Sequence, residues 1–390
     1  MSSIATDQAT RKRARALRLG GLLAVLAIST AIGLLHGAKG VAWRPVSVDA
    51  LCPFGGIETL WAFIAGGFLI KKIALSSLIL LVGVVATALL MGRSFCGQVC
   101  PLGTLQELSA RTGRKLFGRR LFLPKVLDRP ARYLKYAVLV GFTLWTWAVA
   151  DLVIRAYDPW VAYHHLTSPE LLTELGVGLF VLLVALLGSL VYDRFFCKYA
   201  CPMGAFLGIF TRLSMFRITR DTDACVDCGL CDRACPVNLP VATQQITNSS
   251  ECIACSECVT VCPAPGALSI ASRSGRTITA QKLTMLTLAI FFGIALLSTA
   301  LGWFDLEQAT LANEINRAAE QGVPVDTNAI KGSATMREVS DASGIPAEDL
   351  QGTFGVTEAE MDLPLKEVKN AHGFSMEDVR GYVAARLDQP

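Results

Sequence analysis

Charge is scarce in this chain. Of its 390 residues 17% are Asp, Glu, Lys or Arg, while 52% are hydrophobic. About a quarter of the residues of an ordinary globular protein are charged, so an evenly solvated soluble protein is excluded. Histidine is scarcer still, with four residues. None lies inside an apolar block, which excludes the paired axial ligands of a membrane haem. Residues 305–390 contain no cysteine, so that segment can hold no thiolate-bound metal.

The apolar residues come in blocks. Leu19 to Leu35, Ile73 to Met91, Tyr136 to Ile154, Leu175 to Tyr192 and Leu283 to Phe304 each approach the ~20 residues that cross a bilayer. Buried core helices of a soluble protein are the alternative, and five blocks in one chain weigh against it. A sixth stretch, Phe54 to Ile70, is short, glycine-rich and followed by Lys71-Lys72, and reads as re-entrant or interfacial. Charge agrees. Arg93 to Lys135 carries ten Lys or Arg against two Asp or Glu, and basic loops stay inside. The start, with Arg11, Lys12, Arg13, Arg15 and Arg18, is then cytoplasmic too. A cleaved signal peptide over residues 1–38 is the rival to a retained anchor, and the repeat described below needs the anchor.

Thirteen cysteines stand out against this background. Eight of them form two runs of C-x-x-C-x-x-C-x-x-x-C-P: Cys225, Cys228, Cys231 and Cys235, then Cys252, Cys255, Cys258 and Cys262. This is the bacterial ferredoxin spacing, in which the fourth cysteine of each run ligates the other cluster. The expected ligand sets are therefore Cys225, Cys228, Cys231 and Cys262 for one 4Fe–4S cube, and Cys252, Cys255, Cys258 and Cys235 for the second. Structural zinc needs only paired C-x-x-C elements and leaves the interleaved fourth cysteines unexplained. Reduced thiolates and iron place this lobe in the cytoplasm.

Four more cysteines form an internal repeat. Arg93-Ser-Phe95-Cys96 through Cys100-Pro101-Leu-Gly103 matches Arg194-Phe-Phe196-Cys197 through Cys201-Pro202-Met-Gly204. Cys52-Pro53-Phe54 and Asp158-Pro159-Trp160 occupy comparable outer positions upstream. The membrane part thus reads as two parallel copies about an axis along the membrane normal. If Cys96 and Cys100 lie on one helix, they share a face, as do Cys197 and Cys201, and the following prolines end the segments. Four converging thiolates could hold a further iron–sulfur cluster. Redox-active dithiols and simple packing remain open for the same residues. Cys52, alone on the outer side, reads as packing.

At these residues the chain resembles the NapH-type membrane polyferredoxins and the membrane half of NosR. The paired F-C-x-x-x-C-P motifs, the C-P-F-G-G element at Cys52 and the trailing double ferredoxin carry the likeness, over about Leu19 to Phe304. The resemblance implies membrane electron transfer, often as a quinol dehydrogenase subunit feeding a reductase. The flavin-binding domain of NosR-type proteins finds no counterpart in these residues, and the acidic tail is a departure from the family.

That tail, Asp305 to Pro390, carries sixteen acidic and seven basic residues. It contains its own repeat: Met336 to Leu350 matches Leu365 to Val379, each reading as helix, glycine stop (Gly344, Gly373) and second helix. Ser375 with Asp378 resembles a capping box. Two packed helical hairpins are expected, with His372 at the surface, serving as a protein-docking module. Location and negative charge exclude nucleic acid.

The remaining polar candidates lie in or beside the apolar blocks. Glu58 places a carboxylate where charge is expensive, though it could equally be solvated at the interface. His164 and His165, in a loop after Asp158, could bind a quinone headgroup or relay its proton, and solvated loop histidines are the more ordinary reading. The expectation is a mainly α membrane protein: about five transmembrane helices in a two-plus-two parallel repeat plus one, with a cytoplasmic double 4Fe–4S lobe and a small helical C-terminal domain. Its expected divisions are residues 1–18 as a basic N-terminus, 19–212 in the membrane (repeats 19–105 and 133–206), 213–275 as the ferredoxin lobe, 282–304 as the last span and 305–390 as the outer tail. The expected function is to couple the quinone pool, within the lipid, to redox subunits on either membrane face. A maturation or regulatory electron donor and an anchoring scaffold are the alternatives.

Overall fold

The computed structural model describes residues 2–37, 52–66, 74–118, 123–149, 153–167, 170–301, 311–321, 325, 327–330, 332 and 334–387. Two compact units result, Met1–Leu306 and Glu307–Pro390.

In the first unit the basic N-terminal residues and the first apolar block form one continuous helix, α1 (Ser2–Gly37). It is followed by α2 (Pro53–Gly66), α3 (Ala74–Met91), the short α4 (Ser94–Gln98) and α5 (Pro101–Phe117). After α6 (Lys125–Ala131), a similar order recurs: α7 (Leu134–Val149), α8 (Pro159–His164), the short α9 (Glu170–Thr173), α10 (Gly176–Val191), α11 (Phe195–Tyr199) and α12 (Pro202–Thr211). Each apolar block is mostly helical where it is described. Among the described residues, two helices are long and apolar enough to cross a membrane, over Ala9–Leu35 and Ala280–Ala300. Helix α3 has 18 residues, and α7 and α10 have 16 each. The stretch expected to be re-entrant is α2, of 14 residues, with 67–70 outside the described residues. At 1.5 Å per residue α2 spans about 21 Å, short of a ~30 Å hydrocarbon core.

The ferredoxin lobe follows α12. Strands β1 (Phe216–Arg220), β2 (Ile246–Thr247), β3 (Leu268–Ser272) and β4 (Thr277–Ile278) form an antiparallel sheet ordered β2-β1-β3-β4. Ile218 faces Ile270 across β1 and β3, and both are buried. Two short helices, α13 (Leu230–Ala234) and α14 (Glu257–Val261), lie between the strands, and α15 (Ala280–Ala300) leaves the lobe. Thr279 caps α15 by accepting from the Lys282 N–H.

The second unit contains α16 (Leu311–Gln321), α17 (Met336–Ser343), α18 (Ala347–Phe354), α19 (Leu365–His372) and α20 (Met376–Leu387). Gly344 and Gly373 terminate α17 and α19 at φ of 71° each, the left-handed stop that their spacing predicts. Ser375 and Asp378 cap α20 reciprocally, and Thr335 with Glu338 does the same for α17. Val339, Leu350, Leu365, Val368, Val379 and Val383 share one core, so the two hairpins do pack together. His372 ends α19, beside its glycine stop. It is partly exposed, as a surface residue, and gains a partner the spacing does not show, with its Nε2 3.2 Å from Glu360. Because Leu350 is fully buried, Leu350→Ala should destabilise the tail by about 2–5 kcal/mol. Denaturant unfolding of the full chain, followed by proteolysis within residues 311–387, checks this. An unchanged midpoint would contradict the shared core.

Candidate metal centres

The two ferredoxin runs fold the same way. Within Cys225 to Cys231, Asp227 and Gly229 take φ of 49° and 65°; within Cys252 to Cys258, Ala254 and Ser256 take 48° and 56°. Left-handed backbone at a non-glycine residue costs roughly 1–3 kcal/mol and persists where the surroundings enforce it. Alternation of this kind curls backbone N–H groups around a concavity that suits anions and Fe–S sites. Each run then enters a short helix whose last residue hands over to the fourth cysteine, Cys235 after α13 and Cys262 after α14.

The fourth cysteines change partners. Cys225, Cys228, Cys231 and Cys262 line one small pocket, beside Arg220 and Ala264. Cys258 is pushed well above the ordinary thiol range by burial and then by its neighbours Cys255, Cys235 and Cys252. Burial, with Cys235 among the neighbours, also pushes Cys255 up to about 11. Cys235 accepts from the Leu239 N–H at 3.4 Å.

The repeat cysteines come together as well, by a local geometry different from the expected one. Cys96 lies in α4, but Cys100 is the N-cap of α5; Cys197 lies in α11, but Cys201 is the N-cap of α12. The pairs therefore do not share one helix. Pro101 and Pro202 begin the next helix at its first turn rather than ending the last, which suits proline's fixed φ and missing N–H. The cysteines sit where helix N-terminal N–H groups favour a thiolate, and the Gly204 N–H donates to Cys201 Sγ at 3.3 Å. Gln106 Nε2 donates to Cys197 Sγ at 3.1 Å. Burial, Cys197 and Cys96 push Cys100 up to about 12, and the same two neighbours act on Cys201 with Cys100 behind them.

Among the described residues, no group of three or more His, Cys, Asp or Glu side chains converges to hold a single metal ion. A single zinc needs sulfurs about 2.3 Å from one point; a cube has four irons, so its ligating sulfurs stand further apart. The sulfur donors, the N–H groups aimed at them and the cavity fit iron–sulfur clusters.

Buried charge binds the lobe to the helices. Arg18 donates to Gly97 O at 2.9 Å, to Glu107 at 2.6 Å and to Glu257 of the lobe at 2.8 Å. Arg93 donates to Ser250 O and Gln98 to Ala254 O, both at 3.0 Å. Lys135, fully buried, pairs with Glu251. A small cleft lined by Arg18, Glu107, Arg114, Asp193 and Glu257 lies in this layer, its charges largely paired with one another. None of these long-range partners is visible as a motif.

The polar candidates at the opposite ends of α3 and α10 are more enclosed than expected. Glu58 is not solvated at an interface: it is fully buried, and Oε1 accepts from Thr146 Oγ1 at 2.6 Å. His164 is not in a solvated loop: it ends α8, is buried, lies edge-on to Trp160 at 4.3 Å and packs on Gly33 of α1. His165 follows α8, with Nδ1 2.9 Å from Val161 O. Cys52 Sγ donates to Asp158 Oδ2 at 3.4 Å, so the two proline turns meet; Asp158 also accepts from the Trp160 N–H and caps α8.

Known proteins share this arrangement of motifs. The family described as "4Fe-4S binding domain" matches twice, at residues 73–120 and 175–220, over the two repeat segments, and "4Fe-4S dicluster domain" matches residues 217–263. The Escherichia coli protein YccM is 30% identical over 260 residues, covering 64% of this chain and 72% of that protein. The ferredoxin-type protein NapH of E. coli is 27% identical over 240 residues, 59% of this chain and 78% of NapH. The regulatory protein NosR of Stutzerimonas stutzeri is 31% identical over 185 residues, 46% of this chain and 25% of NosR. No solved structure matches the chain. Motifs, fold and relatives together define an iron–sulfur electron-transfer protein. The chain belongs to the NapH/NosR-type polyferredoxin family.

Gly97 brings α4 against the lobe so closely that a Cβ would collide with Ile253 O. Gly97→Val should therefore separate the lobe from the helices. Hydrogen exchange in residues 250–256 should rise at least about tenfold, the effect of losing some 1.4 kcal/mol of local protection; unchanged exchange would contradict this docking.

Proposed function

We propose that the chain carries single electrons between the quinone pool and a redox partner, with its basic N-terminus, the Arg93 to Lys135 loop and the ferredoxin lobe on the cytoplasmic side. Five spans, a pseudo-twofold repeat and an outer tail acting as a docking module complete this reading. The basic loop and acidic tail support the sidedness.

The ligand assignment follows the changed partners of the fourth cysteines. Cys225, Cys228, Cys231 and Cys262 hold one cube, and Cys252, Cys255, Cys258 and Cys235 the other. Cys96, Cys100, Cys197 and Cys201 hold a further iron–sulfur cluster. Clusters at these sites would supply one-electron transfer along a line from the repeat cysteines, through the Cys252 set, to the Cys225 set. The protein's part is to fix that order. Arg93 hydrogen-bonds Cys96 of the repeat cysteines and donates to Ser250 O, two residues before Cys252. At the other end Cys228 is exposed and Val226 is 66% exposed, offering an apolar edge near Leu230 and Ala264 for a partner. The observation that carries this reading is the gathering of twelve cysteines into three neighbouring groups in one unit.

The quinone end is assigned to Glu58, Asp158, His164 and His165. Quinol oxidation must release protons, and a buried carboxylate beside Thr146 and a buried histidine can receive them.

Quinol added to anaerobic membranes should reduce the clusters, seen by EPR. Absence of reduction with intact clusters would refute quinone coupling. Glu58→Gln should slow quinol-dependent reduction by about tenfold or more, the loss of a proton acceptor, and leave dithionite reduction unchanged. Cys235→Ser should remove about four irons and the signal of the Cys252 set while leaving that of the Cys225 set. Loss of the Cys225 signal alone would refute the interleaved assignment.

A further inference from the structure

Two arginines cross between the repeats. Arg93 and Arg194 occupy equivalent positions, each immediately before the short helix that carries a first repeat cysteine. Each guanidinium reaches into the other copy. Arg194 lies against Gly103 and donates to Cys96 O at 2.9 Å; Arg93 lies against Gly204. Gly103 and Gly204 are themselves equivalent, and a side chain at either would take the guanidinium's place. Both arginines are 1% exposed, and both keep a buried Nε with no hydrogen-bond partner among the described residues. Burial opposes the charge of Arg93, while Cys96, Glu251, Cys201 and Cys197 sustain it. For Arg194 the sustaining groups are Glu107, Cys197 and Cys100.

The carboxylates break this symmetry. Glu107 binds Arg194 at 2.8 Å. The equivalent position in the second copy is Gly208, where a Cβ would lie 3.2 Å from Ser250 O of the lobe. The missing carboxylate is supplied by Glu251 of the lobe, 3.8 Å from Arg93 and adjacent in sequence to Cys252.

We propose that Arg93 and Arg194 are paired, permanently charged counter-ions that raise the reduction potential of an anionic centre held by Cys96, Cys100, Cys197 and Cys201, and that Glu251 opposes them from the ferredoxin lobe. The inference rests on the reading that these four cysteines bind an iron–sulfur cluster. One-electron reduction adds one negative charge to such a centre and breaks no bond. No proton need follow, because a guanidinium does not titrate in this range. Two fixed cations in a dry layer favour the more negative state; charge and hydrogen bonding near the sulfurs set cluster potentials. Arg93 and Arg194 are positioning residues with an electrostatic task, and Glu251 makes that task sensitive to the docked lobe.

The test is an anaerobic EPR redox titration of the full chain, with iron counted for each preparation. In Arg93→Gln and Arg194→Gln the reduced fraction of the repeat-cysteine centre at fixed potential should fall about tenfold, a downward shift of about 59 mV for a one-electron couple. Arg93→Lys should stay nearer the parent value, and Glu251→Gln should shift the potential upward. A potential unmoved in all variants, or moved in the same direction by Arg93→Gln and Glu251→Gln, would overturn the proposal. If Arg93→Gln loses the centre's iron, retention in Arg93→Lys supports the charge role, and loss in both overturns it. A parent chain with iron for two cubes alone would remove the underlying reading itself, which is a different failure.

Discussion

Two buried and two half-buried thiols, with two buried guanidiniums among them, set the terms for the rest of the first unit. Ions taken out of water lose several kcal/mol of solvation each, and only close partners restore it. Arg93 and Arg194 meet that demand by crossing into opposite copies of the repeat, each seated on a glycine of the other. Glu107 draws Arg18 and Arg194 together, with Arg111 at its edge. The layer so formed ties α1, α5, α11 and the ferredoxin lobe into a single body. Deleting the Glu107 carboxylate would leave Arg194 buried without the carboxylate it pairs with, at a cost of about 3–5 kcal/mol.

The docking of the lobe follows from the same constraint. Its first contact is backbone: Gly97 admits Ile253 O, and Gln98 reads Ala254 O. Its second is charge: Glu257 takes Arg18 and Glu251 takes Lys135. The contacts converge on the Cys252 run, leaving the Cys225 run with the exposed edge. An internal centre and an external one are what a relay between a membrane and a partner requires.

The parts of this architecture legible in the sequence are those with local signatures. The cysteine spacing announces the two ferredoxin runs, and their backbone repeats at Asp227 and Ala254. Apolar blocks locate the long helices, and Gly344 and Gly373 mark helix ends in the tail. What escaped is non-local. Arg18 and Glu257 lie 239 residues apart, Lys135 and Glu251 116; no periodicity connects them. The C-x-x-x-C-P motif misled because four-residue spacing resembles one helix face, whereas proline at N1 starts a new helix and makes the second cysteine its cap. The burial of His164 is not legible for a related reason: exposure depends on what packs from elsewhere in the chain, and Gly33 of α1 supplies that packing.

The central claim is that the repeat cysteines form a third iron–sulfur site beside the ferredoxin pair. Iron and acid-labile sulfide, quantified per chain in anaerobically prepared protein, address it most directly. About twelve of each are predicted for three cubes, or about ten for a two-iron centre beside two cubes; about eight, with both ferredoxin cubes intact, would contradict it.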